Sequence, residues 1–310
     1  MVVRQAFNLV SRNDAVKRIA TNAPLTRDVV RRFVAGERTS DAVRVAGELA
    51  GAGLRCTLSY LSEDVTDVAQ VSAVVDQYRR LIAALEDADL TDRAELSIKL
   101  GAIGQALPDS DADQITLQNA TAICEAADKV GMTATVDMEE HETVEATLST
   151  VRQLRQRFDW LGVALQADLM RTEDDCRALS YAGSRVRLCK GAYRATEGCH
   201  QTKQDIDLAF VRCLKILMAG GGFPMIATHD PRMIEITSAV AVRHDRERSS
   251  YELQMLYGVR PDEQKRLASL GERVRVYVPY GADWYPWLVR RMAERPANLM
   301  LLLKSIGVPG

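Results

Sequence analysis

Arg290 and Arg291 are the residues best placed to do chemistry. Successive helical positions lie about 100° apart, so an adjacent pair straddles one helix edge and can grip a carboxylate from two directions. Guanidinium forks suit that task better than ammonium groups. Taken alone, such a pair is ordinarily solvated, here against a neighbour such as Glu294. Other cations alter that weighing. Lys99 interrupts the apolar run Leu96-Ser-Ile-Lys-Leu-Gly101, and a lysine in a buried strand is costly without a partner. In Arg187-Leu-Cys-Lys-Gly-Ala-Tyr193, a glycine that permits close backbone approach follows Lys190 and precedes an aromatic. Together these cations predict an anionic ligand. Gly258 and Gly281 stand singly in their loops, which favours a carboxylate over a phosphate.

The elements that would position these groups alternate regularly. Short apolar or β-branched runs occur at residues 54–61, 96–100, 133–137, 161–166, 186–188, 225–228, 251–255 and 274–278. Between them the helical i, i+3/i+4 rhythm runs through 65–85, 115–130, 141–158 and 205–218, with Ile206, Phe210, Cys213, Leu214 and Leu217 on one face of the last. Strands alternating with helices, with no linker between them, predict a parallel α/β sheet closed into a (β/α)8 barrel. An open doubly wound sheet would carry a glycine-rich turn after its first strand. Here Gly51-Ala-Gly53 precedes that strand and reads as a helix C-cap. Residues 1–50 read as a separate N-terminal helical segment and 51–310 as the barrel. One helix there stops at Gly36, and the next opens at Asp41.

Active sites of such barrels lie at the C-terminal strand ends. Those ends bring Ser62-Glu63-Asp64, Lys99, Asp137, Gln166, Arg187 to Tyr193, Thr228-His229-Asp230, Tyr251-Glu-Leu-Gln254 and Tyr277. Ordinary structural roles compete for several. Asp137 could cap a helix beginning near Glu139, Glu63 or Asp64 the next one, while His229 and Gln166 could simply bond the rim backbone.

The runs Arg187–Tyr193, Ala227–Asp230 and Tyr251–Gly258 resemble the proline dehydrogenase family. So does the stretch from Tyr277-Val-Pro-Tyr-Gly281 through Arg290-Arg-Met-Ala-Glu-Arg-Pro-Ala-Asn298. The resemblance covers about residues 54–298, and the length resembles the monofunctional bacterial enzymes. It implies a distorted barrel holding FAD non-covalently. It also implies oxidation of L-proline to Δ1-pyrroline-5-carboxylate by hydride transfer to flavin N5, with electrons passed to a quinone. Carried over by position, Arg290, Arg291 and Lys99 would hold the proline carboxylate, with Asp137 beside them. Glu63 would pair with Arg290 as a gate. Arg187 would lie near flavin N5 and Gln166 would bond the ring. Lys190, Gly191, Ala192, Thr228, His229 and Asp230 would contact the rest of FAD, with Met138, Asp137 and Gln254 also among the cofactor contacts. Leu256, Tyr193 and Tyr277 would line the proline ring. Trp287 stands where the family commonly has tyrosine, keeping an aromatic wall without its hydroxyl.

Three rival readings remain open: a hydroxyproline dehydrogenase on the same scaffold, a Schiff-base lyase using Lys99 or Lys190, and a non-catalytic flavin- or proline-binding barrel. Composition narrows the partners. Net charge is −2 and no basic run occurs, so nucleic acid is not expected. Met1 to Val16 lacks the apolar core of an export signal and no run could span a bilayer, which predicts a cytoplasmic protein with at most peripheral membrane contact. The six cysteines form no framework and read as reduced thiols. An aldehyde dehydrogenase is a conceivable partner for the product, and no metal site is expected among only four histidines.

Overall fold

The computed structural model describes residue 30 and residues 32–62, 65–108, 110–191 and 197–287. Helix α1 (Thr39–Gly51) leads into β1 (Arg55–Tyr60), followed by α2 (Val68–Asp87), β2 (Ala94–Ile98), α3 (Ala112–Lys129) and β3 (Thr133–Val136). Then come α4 (Val144–Arg155), β4 (Gly162–Gln166), α5 (Thr172–Ala178), β5 (Arg185–Cys189) and α6 (Lys203–Ala219). The last are β6 (Phe223–Ala227), α7 (Pro231–Arg243), β7 (Glu252–Leu256), α8 (Pro261–Ser269) and β8 (Val274–Tyr280). The strands pair in parallel in chain order, and β1 also pairs with β8, closing the barrel.

All eight expected strands form, and their pleat divides the residues by chemistry. Leu96 and Ile98 of β2, Val163 and Leu165 of β4 and Val276 and Val278 of β8 join one core with Tyr78, Leu81 and Leu85 of α2, Ile123 of α3 and Phe210 and Leu214 of α6. That shell is the ordinary sheet-to-helix packing of an α/β protein, driven by apolar burial. The alternate residues, including Thr57, Glu95, Ser97, Thr135, Arg187, Gln254 and Arg275, turn into the barrel and are also buried.

Local signals set most helix ends. Asp67 caps α2 by accepting from Gln70 N at 2.9 Å, and Thr202 caps α6 by accepting from Asp205 N at 3.1 Å. Helix α1 starts at Thr39, two residues before its expected opening, because Asp41 reaches back to Arg38 N at 3.1 Å. Gly53, with φ +75°, supplies the left-handed residue that ends it. The helix expected over 141–158 divides into a 3-10 turn at His141–Thr143 and α4, and Phe158 packs in the core beyond the helix end. Strand β8 runs on to Tyr280, so Tyr277 lies mid-strand and not at a strand end. Pro279 fits there because its carbonyl still accepts from Ala35 N at 2.9 Å. All six cysteines are free thiols. Among the described residues no helix is long and apolar enough to cross a membrane.

Candidate active site

TIM barrels are usually filled with branched apolar side chains; this one is filled with charge. Glu95, fully buried, is the hub. Its Oε1 accepts from Thr135 at 2.6 Å and from Arg187 Nη2 at 3.1 Å, while Oε2 accepts from Arg185 Nη2 and lies 4.0 Å from Arg275 Nε. Burial pushes the Glu95 pKa up, and Arg275, Arg185 and Arg187 more than reverse this, holding it at about 2. Gly162 makes the arrangement possible. An ideal Cβ there would stand 2.5 Å from Thr135 Oγ1, so any side chain would displace the hydroxyl that reaches Glu95.

Arg187 carries the network upward. It is 4% exposed, donates from Nε to Gln254 Oε1 at 2.6 Å and from Nη1 to Asp137 Oδ1 at 2.7 Å. Its guanidinium also lies 5.5 Å from the Tyr277 ring centroid. Asp137 Oδ2 then accepts from Ser97 Oγ at 2.6 Å and from Tyr277 Oη at 2.7 Å. Tyr277 Oη sits 2.8 Å from Ser59 Oγ, which in turn lies 3.4 Å from Lys99 Nζ. With the phenol proton given to Asp137, Ser59 can accept from Lys99 and donate to Tyr277. Burial, and then the charge of Asp137, raise the Tyr277 pKa, so the phenol stays a donor.

The rim around this core is also polar. Gln166 donates to Glu139 O at 3.2 Å, and Thr228 Oγ1 accepts from Asp230 N at 3.2 Å. His229 Nε2 accepts from Leu256 N at 2.7 Å, while its carbonyl accepts from Arg260 at 2.9 Å, tying the loops after β6 and β7 together. Lys190 bridges Asp207 and Asp230. Asp230 also caps α7 and pairs with Arg232 at 2.8 Å, and that bond above all holds its carboxyl well below the usual range. Gly191 has φ +104°, and an ideal Cβ there would stand 2.1 Å from the Asp168 carboxyl. The position therefore excludes every other residue on two grounds. Asp168 is 9% exposed, its Oδ1 has no hydrogen-bond partner among the described residues, and burial pushes its pKa up to about 6.

Of the predicted residues, the structure brings Lys99, Asp137, Arg187, Gln254 and Tyr277 into one network. Gln166, Lys190, Gly191, Thr228, His229, Asp230 and Leu256 lie at or just beyond the same C-terminal strand ends. Met138 and Trp287 are buried, Trp287 in a helical turn over 284–287 that follows β8. Glu63, Asp64, Ala192, Tyr193, Arg290 and Arg291 lie outside the described residues. Asp137 is no helix cap: every side-chain hydrogen bond it accepts comes from inside the barrel. Sequence reasoning missed Glu95, Glu252, Arg185, Arg275, Ser59 and Thr135. Their signal was the alternation of polar and apolar residues in Glu95-Leu-Ser-Ile-Lys99, Arg185-Val-Arg-Leu-Cys189 and Arg273-Val-Arg-Val-Tyr277.

The family profile described as "Proline dehydrogenase" matches residues 42–302. Proline dehydrogenase 1 of Bacillus subtilis is 37% identical over 98% of this chain and 99% of its own length. Proline dehydrogenase of Deinococcus radiodurans is 34% identical over 90% of each chain. Among solved structures, proline utilization A from Bdellovibrio bacteriovorus, inactivated by N-propargylglycine, aligns with a TM-score of 0.83 over 93% of this chain at 21% identity. A mutant of proline utilization A from Bradyrhizobium japonicum aligns with a TM-score of 0.72 over 92% of this chain at 23% identity. The chain spans about a third of the length of those two, 36% and 33%, and at that identity the likeness is one of fold. A profile matched over most of the chain, with relatives aligned along nearly their whole length, establishes that the chain belongs to the proline dehydrogenase family.

Proposed function

We propose that this chain oxidises L-proline to Δ1-pyrroline-5-carboxylate at the barrel mouth, with FAD as its cofactor and a quinone as electron acceptor. Family membership supports proline oxidation. The observation that carries the site is the Arg187–Asp137–Tyr277 network, a fixed cation and phenol at the end of a barrel where chemistry belongs. The rim suits a flavin dinucleotide: Gln166 and Thr228 offer polar edges, Gly191 admits backbone approach, and Arg187, Lys190 and Arg232 supply positive charge. Asp207 and Asp230 already face both Lys190 and Arg232, so much of the diphosphate grip would fall to backbone N–H groups. When bound, FAD would supply the two-electron acceptor.

The protein's own groups supply orientation and charge. Lys99, Arg290 and Arg291 hold the proline carboxylate, which fixes the ring against rotation and turns the reaction into a positioned, unimolecular step. Glu63 closes on Arg290, while Met138 and Gln254 complete the cofactor contacts with Ala192. Leu256, Tyr193, Tyr277 and Trp287 wall the ring and keep water out. Nearby positive charge favours the neutral proline amine, the form that can release a hydride from the adjacent carbon. Arg187 has its Nε and Nη1 groups committed to Gln254 and Asp137, so it stabilises developing negative charge without reorganising. The division at residue 50 into an N-terminal helical segment and a catalytic barrel belongs to this proposal, with Ala42, Val45 and Ala46 of α1 packing into the barrel's core. The product, a carbonyl equivalent, suits consumption by an aldehyde dehydrogenase, and quinone reduction brings the protein to a membrane surface transiently.

Anaerobic addition of L-proline to the FAD-loaded protein should bleach the visible flavin band; a protein that cannot be loaded with FAD, or that stays yellow, refutes the reading. Arg291→Met should raise KM for proline by orders of magnitude while FAD stays bound. Proline should exceed trans-4-hydroxy-L-proline in kcat/KM, because a buried hydroxyl without a partner costs about 1–3 kcal/mol. A borohydride-trapped mass adduct on Lys99 or Lys190 would favour the lyase reading instead, although Lys190 already faces two carboxylates.

A further inference from the structure

At the opposite end of the barrel, where the strands begin, lies a cavity of about 210 Å3 lined by Arg55, Arg185, Arg273 and Arg275 together with Glu252 and Asp92, among others. Its charges do not balance locally. Arg275 spends itself on Glu252 Oε1 at 2.7 Å, and Glu252 also accepts from Gln254 at 2.6 Å. Arg185 is spent on Glu95. Asp92 turns to Arg93 at 3.1 Å, with its side chain largely exposed. That leaves Arg55 and Arg273, which have no ion pair among the described residues. They donate only to main-chain carbonyls, Arg55 to Asp92 O at 2.5 Å and Arg273 to Ser249 O at 3.4 Å.

These two guanidiniums are held close to further positive charge. Arg55 is the register partner of Arg275 across β1 and β8, and Arg273 stands two residues before Arg275. Burial, then the charges of Arg273 and Arg275, lower the Arg55 pKa, and Glu252 opposes them only in part. The Phe223 ring lies 5.5 Å from the Arg185 guanidinium and 5.4 Å from that of Arg273, giving both an apolar backing.

We propose that this cavity binds a small dianionic oxyanion of the phosphate type, held between Arg55 and Arg273. A dianion balances the two unpaired charges, and planar guanidinium forks match oxyanion geometry. Water fills the volume, at roughly 30 Å3 per molecule, but brings no charge to set against the two half-exposed guanidiniums. Gly131, Thr91 and Thr133 also line the space. The site is distinct from the mouth, although Arg185 of its lining shares the Glu95 carboxylate with Arg187.

The test uses the FAD-loaded protein, so that phosphate cannot occupy the cofactor's own phosphate positions. Inorganic phosphate should raise Tm by about 2–4 °C over sodium chloride at equal ionic strength. Arg273→Gln and, separately, Arg55→Gln should each abolish that shift while the stabilisation by FAD remains, which shows that the variants are folded. An equal shift with chloride, a phosphate shift kept by both variants, or a shift seen only without FAD would each overturn the proposal. Arg273 is half-buried outside the strand, so its variant is the safer of the two should Arg55→Gln fail to fold.

Discussion

At the mouth of the barrel, Asp137 accepts from Arg187, Ser97 and Tyr277, and every donor has an acceptor close by. At the floor, Arg55 and Arg273 point their charge at main-chain carbonyls, and Glu252 Oε2 has no hydrogen-bond partner among the described residues. The same residue types give an ordered hydrogen-bond chain at one end and an arginine-rich cavity at the other. Glu95 joins them, because Arg185 from the floor and Arg187 from the mouth share its carboxylate. Buried ion networks seldom add stability over a well-packed apolar core. Their presence along the whole barrel axis is therefore better explained by what each end must hold than by folding.

The comparison can be broken most severely at its joint. Glu95→Gln should destabilise the protein by about 3–5 kcal/mol in urea titration, because it leaves three guanidiniums buried around a neutral amide. A smaller loss would mean that the two ends are not held in common. The same group sets an acid limit. Its folded pKa of about 2 is below the ordinary glutamate value, so its contribution is complete above about pH 5 and is lost as pH falls towards 2. Circular dichroism against pH should show unfolding in that interval.

At the mouth alone, Arg187→Met should lower kcat by about 10²–10³, the cost of losing one preorganised charge at a reacting centre. Tyr277→Phe removes one hydrogen bond to Asp137 and should cost about tenfold in kcat/KM, on the order of 1–1.5 kcal/mol. By contrast Glu252→Gln should show itself chiefly in Tm. If it lowers kcat more than Tyr277→Phe does, the division between the two ends is wrong.

The smallest effect lies at the rim. Asp168 has a folded pKa of about 6, above its ordinary value, so its ionisation opposes folding at neutral pH and the penalty fades as pH falls from 6 to 4. Asp168→Asn should raise stability by about 1–2 kcal/mol at pH 7.5 and by almost nothing at pH 4. Thermal melts at the two pH values separate this from a general packing effect, which would persist in acid.

Much of this was legible in the chain. The eight strands emerged from short apolar runs because each run had to face a helix layer, and that demand is local. Lys99, Asp137 and Arg187 were legible as polar groups of the strand-end set once a barrel was assumed, and Tyr277 was legible as one of that set although it lies mid-strand. Glu95 was not, because the expected strand two began at Leu96 and a lone glutamate before an apolar run resembles a turn residue. Arg275 was hidden inside an apolar strand that read as ordinary, although its period-two alternation with Arg273 and Tyr277 was visible. Asp137 was open to a capping role, because nothing in the sequence shows whether a side chain turns into the barrel or towards the next helix.

The sequence by itself determined the alternating units, the helix caps at Asp67 and Thr202 and the division of strands such as β2, β5 and β7 into an apolar and a polar face. These depend on residues within one or two turns of each other. Tertiary structure decided which polar faces meet. Tyr277 reaches Asp137 across 140 residues, and Arg187 reaches Glu95 across 92. Only barrel closure, β1 against β8, fixes the register that places them within hydrogen-bond distance.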